Sequence, residues 1–181
     1  MGLVPKNTSN RGSRKGKDLG AESDSIDRET SVRDAWALFA EEPVAVPQGT
    51  ALRDVAELLS RRRGVHTVAV VNEKERLVGV IPLRLIMDEM FFHVAPEEFL
   101  ADLRKEEAME EFGKISRADT VDELMQEPAY VTMDETVGDA YGCMHENRLE
   151  GLPIVDADMK PIGYVDRLQL LRVLLQTRPG K

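Results

Sequence analysis

The chain carries one hairpin pattern twice. In the stretch 150–165, two apolar runs flank a polar turn that begins at Asp156. The same pattern occurs earlier, with Asn72 in the position of Asp156 and Gly79 in that of Gly163, both at a separation of 84 residues. Two short apolar runs on either side of a polar turn predict a β-hairpin. An internal repeat constrains the fold strongly, because both copies are expected to form the same unit.

The segments around the two hairpins also correspond. Apolar spacing, prolines and capping residues predict the order helix, strand, helix, strand, strand, helix in each copy. The first copy has a helix capped by Ser31 and Asp34 and ended by Pro43, a strand at 44–46, a helix from Thr50 to Gly64, the hairpin 68–81 and a helix at 83–90. The second copy has a helix at 121–125, a strand at 130–132, a helix after Thr136, the hairpin 152–165 and a helix at 167–176. Thr136 lies 86 residues after Thr50, which predicts two more residues between helix and hairpin in the first copy.

A sheet of three short strands has a face that must be covered, so the two copies are expected to pack together. The predicted fold class is α/β, an α+β sandwich of two pseudo-symmetric repeats. Each repeat is a small three-stranded sheet with flanking helices, and a helical connector joins them. The predicted segments are a disordered polar tail at 1–29, the first repeat at 31–90, the connector at 91–119, the second repeat at 120–176 and a tail at 177–181.

Composition limits the classes of function. The 181 residues carry a net charge of −9, which argues against a nucleic-acid partner. The basic part of the tail, 6–17, could still anchor the chain to an anionic partner, the alternative being a solvated tail. Cys143 is the only cysteine, which excludes an intramolecular disulfide and fits a reducing compartment. No apolar run reaches the roughly 18 residues of a membrane span and no secretory signal is visible, so we expect a cytoplasmic protein without membrane insertion.

Both copies contain short signature motifs. The second copy reads Thr-Val-Asp-Glu-Leu-Met at 120–125, then Thr136, then Gly-Leu-Pro-Ile-Val-Asp at 151–156 and Gly-Tyr-Val at 163–165. The first copy has Thr50, Ala56, the run 68–72 and Gly-Val-Ile at 79–81. Over residues 31–176 the chain therefore resembles a tandem pair of cystathionine-β-synthase-type (CBS) domains, the Bateman module.

The resemblance implies a regulatory protein. Such pairs form a disc with clefts between the two sheets, and in many relatives these clefts bind AMP, ADP, ATP or S-adenosylmethionine. Two modules usually form a homodimer, and the ligand controls an attached or separate protein. For this chain the resemblance implies a homodimer that modulates an unidentified partner protein.

The ligand motif of the family departs from its usual form in both copies. Nucleotide-binding relatives follow the hairpin with Gly-x-x-Thr/Ser-x-x-Asp, in which the hydroxyl holds phosphate and the acid holds the ribose. Pro82 and Leu85 replace the hydroxyl and the acid in the first copy, and Asp166 and Gln169 replace them in the second. Asp166 would repel a phosphate but is a good cap for the last helix, and Gln169 could still bind a ribose.

The favoured ligand site is the cleft of the second copy. Its predicted residues are Asp166 and Gln169, with walls of Tyr130, Val131, Thr132, Leu152, Pro153, Ile154 and Val165. The equivalent cleft of the first copy would use Val44, Ala45, Val46, Val68, Ala69, Ile81, Pro82 and Arg84. His66 stands where some relatives place a phosphate contact, the alternative being a structural histidine. Arg84 and Arg167 could contact an anion, or could be solvated or in salt bridges.

No catalytic motif occurs, so an enzyme is not expected and no metal site or catalytic residue is predicted. His93, His145 and Cys143 lack ligand or nucleophile spacing. Two classes of function remain, a ligand-sensing regulatory module and a dimerisation scaffold that has lost its ligand. Apolar helix faces predict the homodimer interface, at Leu83, Ile86, Met87 and Met90 in the first copy and at Leu170, Leu171 and Leu174 in the second. The connector, with Phe91, Phe92, Phe99, Leu103 and Phe112, could cover the disc or extend that interface.

Overall fold

The computed structural model describes residues 28–39, 41–94 and 118–176. The predicted tails and most of the predicted connector lie outside these residues. The elements, in chain order, are α1 (Val32–Phe39), β1 (Ala45–Pro47), α2 (Leu52–Ser60), β2 (Thr67–Val71), β3 (Leu77–Pro82), α3 (Leu83–Val94), α4 (Val121–Leu124), β4 (Val131–Thr132), α5 (Val137–Glu146), β5 (Gly151–Val155), β6 (Pro161–Asp166) and α6 (Arg167–Gln176). The predicted order of elements is confirmed in both repeats.

Each repeat forms a three-stranded mixed sheet, in the order β1-β2-β3 and β4-β5-β6. The hairpins β2–β3 and β5–β6 are antiparallel. The first strand of each repeat runs parallel to the first hairpin strand, with Val46 opposite Val70 and Val131 opposite Ile154. Every residue of β2 and β5 is buried. Strands buried on both faces read as continuous apolar runs, which is why both hairpins are visible in the sequence.

The predicted cap of the second helix is wrong in the first repeat. Helix α2 has Ala51 as its N-cap, whereas α5 has Thr136, which forms a capping box with Asp139. The Thr50 hydroxyl instead donates to the Pro47 carbonyl oxygen at 2.6 Å. Equivalent helix starts are therefore 85 residues apart, and the first repeat has one extra residue between helix and hairpin rather than two.

The first helix of each repeat packs against the other repeat. Phe39 of α1 is fully buried in a cluster with Leu152 and Ile154 of the second sheet. Val121 of α4 is fully buried in the cluster of the first sheet. The Val32 amide also donates to the Glu135 carbonyl at 2.8 Å, and the Val121 amide to the Thr50 carbonyl at 3.0 Å. Each sheet is thus covered by a helix that belongs, along the chain, to the other repeat.

Two equivalent glycines lie where these exchanged segments cross the sheets. A Cβ atom on Gly163 would lie 2.5 Å from Cη2 of Trp36, in α1. A Cβ atom on Gly79 would lie 2.7 Å from Sδ of Met125, just after α4. Such distances are too short for any side chain. The glycine pair that marks the repeat in the sequence therefore marks the two close crossings.

The two hairpin turns also meet. The Lys160 ammonium lies 2.8 Å from the Glu75 carboxylate, and the Leu77 amide donates to the Met159 carbonyl at 2.8 Å. Glu75 and Met159 are equivalent residues, and both have positive φ angles, of 60° and 65°. Pro161 is the equivalent of Leu77 and has no amide proton, so the reciprocal bond cannot form.

Tyr164 links the interior of the second sheet to the first repeat. Its side chain is 1 % exposed, and its hydroxyl accepts a hydrogen bond from the His66 amide at 3.0 Å. Burial, with a smaller contribution from the charge of Asp166, raises the pKa of Tyr164 to about 12. The neutral phenol is therefore the form that the fold holds.

Replacing Gly163 by alanine should force Trp36 away from the sheet. We expect Gly163→Ala to lower the free energy of unfolding by about 1–3 kcal/mol, the usual cost of overpacking. The matched control is Gly142→Ala in α5, where no atom lies within 4 Å of the added Cβ. That change should be neutral or stabilising by up to about 1 kcal/mol, because alanine favours the helix. Urea unfolding of the three proteins measures this, and equal stabilities for Gly163→Ala and wild type would contradict the close crossing.

Tyr164 should make stability fall at alkaline pH. The phenol of Tyr164 ionises near pH 10 in the unfolded chain and near pH 12 in the folded one. The contribution of Tyr164 to the free energy of unfolding is therefore complete below about pH 10 and is lost as the pH rises through 12. At pH 7, Tyr164→Phe should cost about 1–3 kcal/mol, because the His66 amide loses its acceptor. We expect the urea midpoints of wild type and variant to converge between pH 10 and 12. Parallel pH profiles would show that Tyr164 ionises without cost.

Candidate functional site

A cleft of about 300 Å³ opens between the two repeats. It is lined by the following six residues from both repeats: His66, Glu150, Asp166, Arg167, Leu168 and Leu171. His66 and Glu150 are equivalent residues, each just before the first hairpin strand of its repeat. The cleft therefore lies where the two repeats face each other.

The repeated backbone forms both sides of this cleft. The Leu83 amide donates to the His66 carbonyl at 2.8 Å, and the Arg167 amide donates to the Glu150 carbonyl at 3.0 Å. Each bond ties the first residue of α3 or α6 to the chain just before a hairpin. Both helices thus begin beside the cleft, in matching positions.

Asp166 and Gln169 close the start of α6 on itself. The Gln169 amide donates to Oδ1 of Asp166 at 2.7 Å, and the Asp166 amide donates to Oε1 of Gln169 at 2.8 Å. This reciprocal arrangement is a capping box, and it bears out the prediction that Asp166 caps the last helix. Both side chains are buried, 5 % and 3 % exposed. The oxygen with which Gln169 would accept a ribose hydroxyl is therefore already bonded.

The two carboxylate oxygens of Asp166 differ in their bonding. In the part of the chain that the structure describes, only Oδ1 accepts a hydrogen bond, from Gln169, and Oδ2 accepts none. The first repeat has no counterpart, because Pro82 and Leu85 cannot form a capping box. The two repeats therefore differ most at the residues that follow their hairpins.

Arg167 is held by its surroundings. Its Nε lies 3.2 Å from the Glu150 carboxylate and donates to the Leu149 carbonyl at 3.1 Å. Its Nη2 donates to the Met144 carbonyl at 3.4 Å, near the end of α5, where a cation is favoured by the helix dipole. The guanidinium also lies 5.8 Å from the centre of the Tyr141 ring. Of the two roles predicted for Arg167, the salt bridge is the one observed.

Most of the predicted wall residues fill the interior instead of facing this cleft. The buried ones are Val131, Leu152, Pro153, Ile154 and Val165 in the second repeat and Val44, Val46, Val68, Ala69, Ile81 and Pro82 in the first. Tyr130 and Thr132 are partly buried, and Ala45 and Arg84 are exposed. Of the predicted ligand residues, the structure brings His66 and Asp166 together in the cleft.

Three cleft residues were not among the predicted ligand residues. Glu150 lies 84 residues after His66, so the repeat itself was a signal that could have found it. Leu171 was assigned only to the dimer interface, and Leu168 was not assigned to a site. Their exposed fractions are 48 % for Leu171 and 56 % for Leu168. Large apolar side chains that remain exposed beside a cleft are candidates for contact with a ligand or a protein.

The remaining reactive side chains show no activated chemistry. Cys143 is partly buried, and burial raises the pKa of its thiol. His145 stacks on Tyr141, with ring centres 6.3 Å apart. Among residues 28–39, 41–94 and 118–176 no group of three or more His, Cys, Asp or Glu side chains could hold a metal. None of the helices in these residues is long and apolar enough to cross a membrane.

The outer faces of α3 and α6 carry apolar side chains. The exposed residues are Met87, Phe91, Leu168, Leu171, Leu174 and Leu175. The prediction that Ile86 and Leu170 belong to a dimer face is wrong, since these residues are 1 % and 2 % exposed and lie in the core. Leu83 and Met90 are partly buried. The helical period turns Ile86 and Leu170 inward and their neighbours Met87 and Leu171 outward.

Known proteins resemble this chain in sequence and in fold. A curated relative, an uncharacterised protein of Methanocaldococcus jannaschii, is 26% identical over 146 residues, which is 74% of this chain and 86% of the relative. The crystal structure of a CBS domain-containing protein of Thermotoga maritima has a TM-score of 0.67 at 23% identity, covering 85% of this chain and all of that one (100%). CBSX2 in complex with AMP has a TM-score of 0.61 at 24% identity, covering 83% and 99%.

A third solved structure is a CBS domain pair in complex with 5′-methylthioadenosine and S-adenosyl-L-methionine. Its TM-score is 0.57 at 19% identity, covering 82% of this chain and 98% of that one. The family model of the CBS domain matches residues 32–92 and 121–176, more than half of the chain. Two matched segments with two equivalent sheets leave one assignment: the chain belongs to the CBS domain family, as a tandem CBS pair.

Proposed function

We propose that this CBS pair is a non-catalytic regulatory protein, which binds a small ligand between its repeats and modulates a separate partner protein. The observation that carries the proposal is the cleft lined by His66 from one repeat and Asp166 from the other. A ligand that contacts both repeats can favour one relative arrangement of them, and a partner can respond to that arrangement. We place this activity in the cytoplasm.

Adenosine compounds are the ligands to try first. Relatives of the same fold have been solved with AMP, 5′-methylthioadenosine and S-adenosyl-L-methionine. The candidate ligands for this chain are accordingly AMP, ADP, ATP and S-adenosylmethionine. A cleft of about 300 Å³ is at the small end of the range for small-molecule sites.

Ligand binding should raise the melting temperature. At a hundredfold excess over Kd, a ligand that binds only the folded chain adds about 2.7 kcal/mol of stability, or about 5 °C or more. We expect Leu171→Trp, which fills the cleft, to abolish the shift. Leu175→Trp, on the same helix but outside the cleft, should leave it unchanged. Thermal melts with each adenosine compound measure this, and a shift that survives Leu171→Trp would place the ligand elsewhere.

The second candidate function is a dimerisation scaffold without a ligand. It is favoured by the exposed apolar residues of α3 and α6, among them Met87 at 60 % and Leu175 at 76 % exposure. Several exposed large apolar side chains on one helix are typical of protein contact sites. We propose that a second copy of the chain covers these helices, which would serve either function.

Charges placed on these helices should weaken the homodimer. We expect sedimentation velocity at micromolar concentration to show a dimer for wild type. Met87→Lys and Leu175→Lys should each raise the dimer dissociation constant about tenfold or more, since each would bury a charge in an apolar contact. Ile162→Lys is the matched control, because Ile162 is 40 % exposed and lies on β6 instead of on α3 or α6. A strictly monomeric wild type would remove the homodimer from the proposal.

A further inference from the structure

We propose that the cleft selects small organic cations with an apolar portion and discriminates against phosphate-bearing ligands. This inference rests on the proposed ligand binding and names the chemical class that the same cleft would take. The charges, the hydrogen bonds and the apolar side of the six cleft residues support it.

The charged side chains of the cleft leave a negative balance. The cleft contains two carboxylates, Glu150 and Asp166, and one guanidinium, Arg167. Arg167 forms an ion pair with Glu150 and donates to the carbonyls of Leu149 and Met144, so its charge is offset within the chain. With Glu150 neutralised by Arg167, the charge of Asp166 remains. His66 is the one other titratable side chain that lines the cleft.

The start of α6 is already capped by a carboxylate of the chain. A helix N-terminus attracts phosphate through its free amides and its dipole. Here the carboxylate of Asp166 already accepts from the Gln169 amide, and the Gln169 side chain accepts from the Asp166 amide. The helix end is thus satisfied by an anion of the chain itself. A second anion would meet the negative charge of Asp166 at short range.

The carboxylate of Asp166 can accept a further hydrogen bond. Asp166 lines the cleft, and its Oδ2 accepts no hydrogen bond from the described residues. A carboxylate oxygen with free acceptor capacity binds a charged donor best. The side chains of Leu168 and Leu171 lie beside it and can pack against an apolar part of the same ligand.

The test compares adenosine compounds that differ in charge. S-adenosylmethionine carries a sulfonium, an ammonium and a carboxylate group and is a net cation, 5′-methylthioadenosine is neutral, and AMP is an anion. We expect isothermal titration of the full chain to give the tightest binding for S-adenosylmethionine, weaker binding for 5′-methylthioadenosine, and a Kd for AMP at least tenfold above that of S-adenosylmethionine. Raising the salt concentration should weaken the binding of S-adenosylmethionine.

The variant Asp166→Thr tests the source of the selectivity. Threonine retains the capping role, so α6 should still form. We expect the variant to lose most of the preference, with the ratio of the two Kd values falling about tenfold. Asp54→Asn is the matched control, since Asp54 also lies in the first turn of a helix, α2, but does not line the cleft. That variant should keep the wild-type ratio.

The outcomes separate the two proposals. If none of the three compounds binds, both adenosine binding and the charge selection fail. If AMP binds as tightly as S-adenosylmethionine, ligand binding stands and the charge selection is overturned. If Asp166→Thr folds and keeps the wild-type ratio, Asp166 is not the selecting group. Should that variant fail to fold, the order of affinities in the wild type still decides.

Discussion

The structure depends on the mutual burial of its two repeats. Neither three-stranded sheet covers its own apolar face, and each is covered by the first helix of the other repeat. Phe39 of α1 lies in the core of the second sheet, and Val121 of α4 lies in the core of the first. The two cores therefore cannot form independently, because each contains chain from both repeats. The cleft between the repeats follows from the same packing, since it lies where the two equivalent strand entries face each other.

The sequence predicts the local structure well, whereas the predicted ligand residues stay a prediction. The hairpins were visible because fully buried strands have continuous apolar runs, and the last helix was predicted with its observed bounds, 167–176. The exchange of α1 and α4 was not predicted, because apolar periodicity shows which face of a helix is buried but not against which sheet. The wall residues stay a prediction for a related reason, since an apolar strand residue such as Ile154 can face either a cleft or the core. Asp166 was foreseen as a cap, because capping is a local interaction that spacing along the chain specifies.

In the cleft, side chains at the family's ligand-binding positions form hydrogen bonds that stabilise the fold. The residues that would hold a nucleotide in the family pattern are here a capping box, and the nearest arginine is bonded to the end of α5. A fold can be retained while its ligand chemistry changes, because the backbone bonds from His66 and Glu150 to the following helices do not depend on side chains. In the proposed function, specificity would rest on the few side chains that follow the hairpins, where the two repeats differ.

The proline at the second hairpin turn makes the two repeats unequal partners. Leu77 supplies the amide that joins the turns, and Pro161, in the equivalent position, has none to give. A hybrid chain built from two copies of the first hairpin would have a donor on both sides of the contact. One built from two copies of the second would have neither. Although the two repeats have the same fold, duplication of the first hairpin would add a second bond of this kind, and duplication of the second would remove the bond. The two hairpins are therefore not interchangeable at this contact.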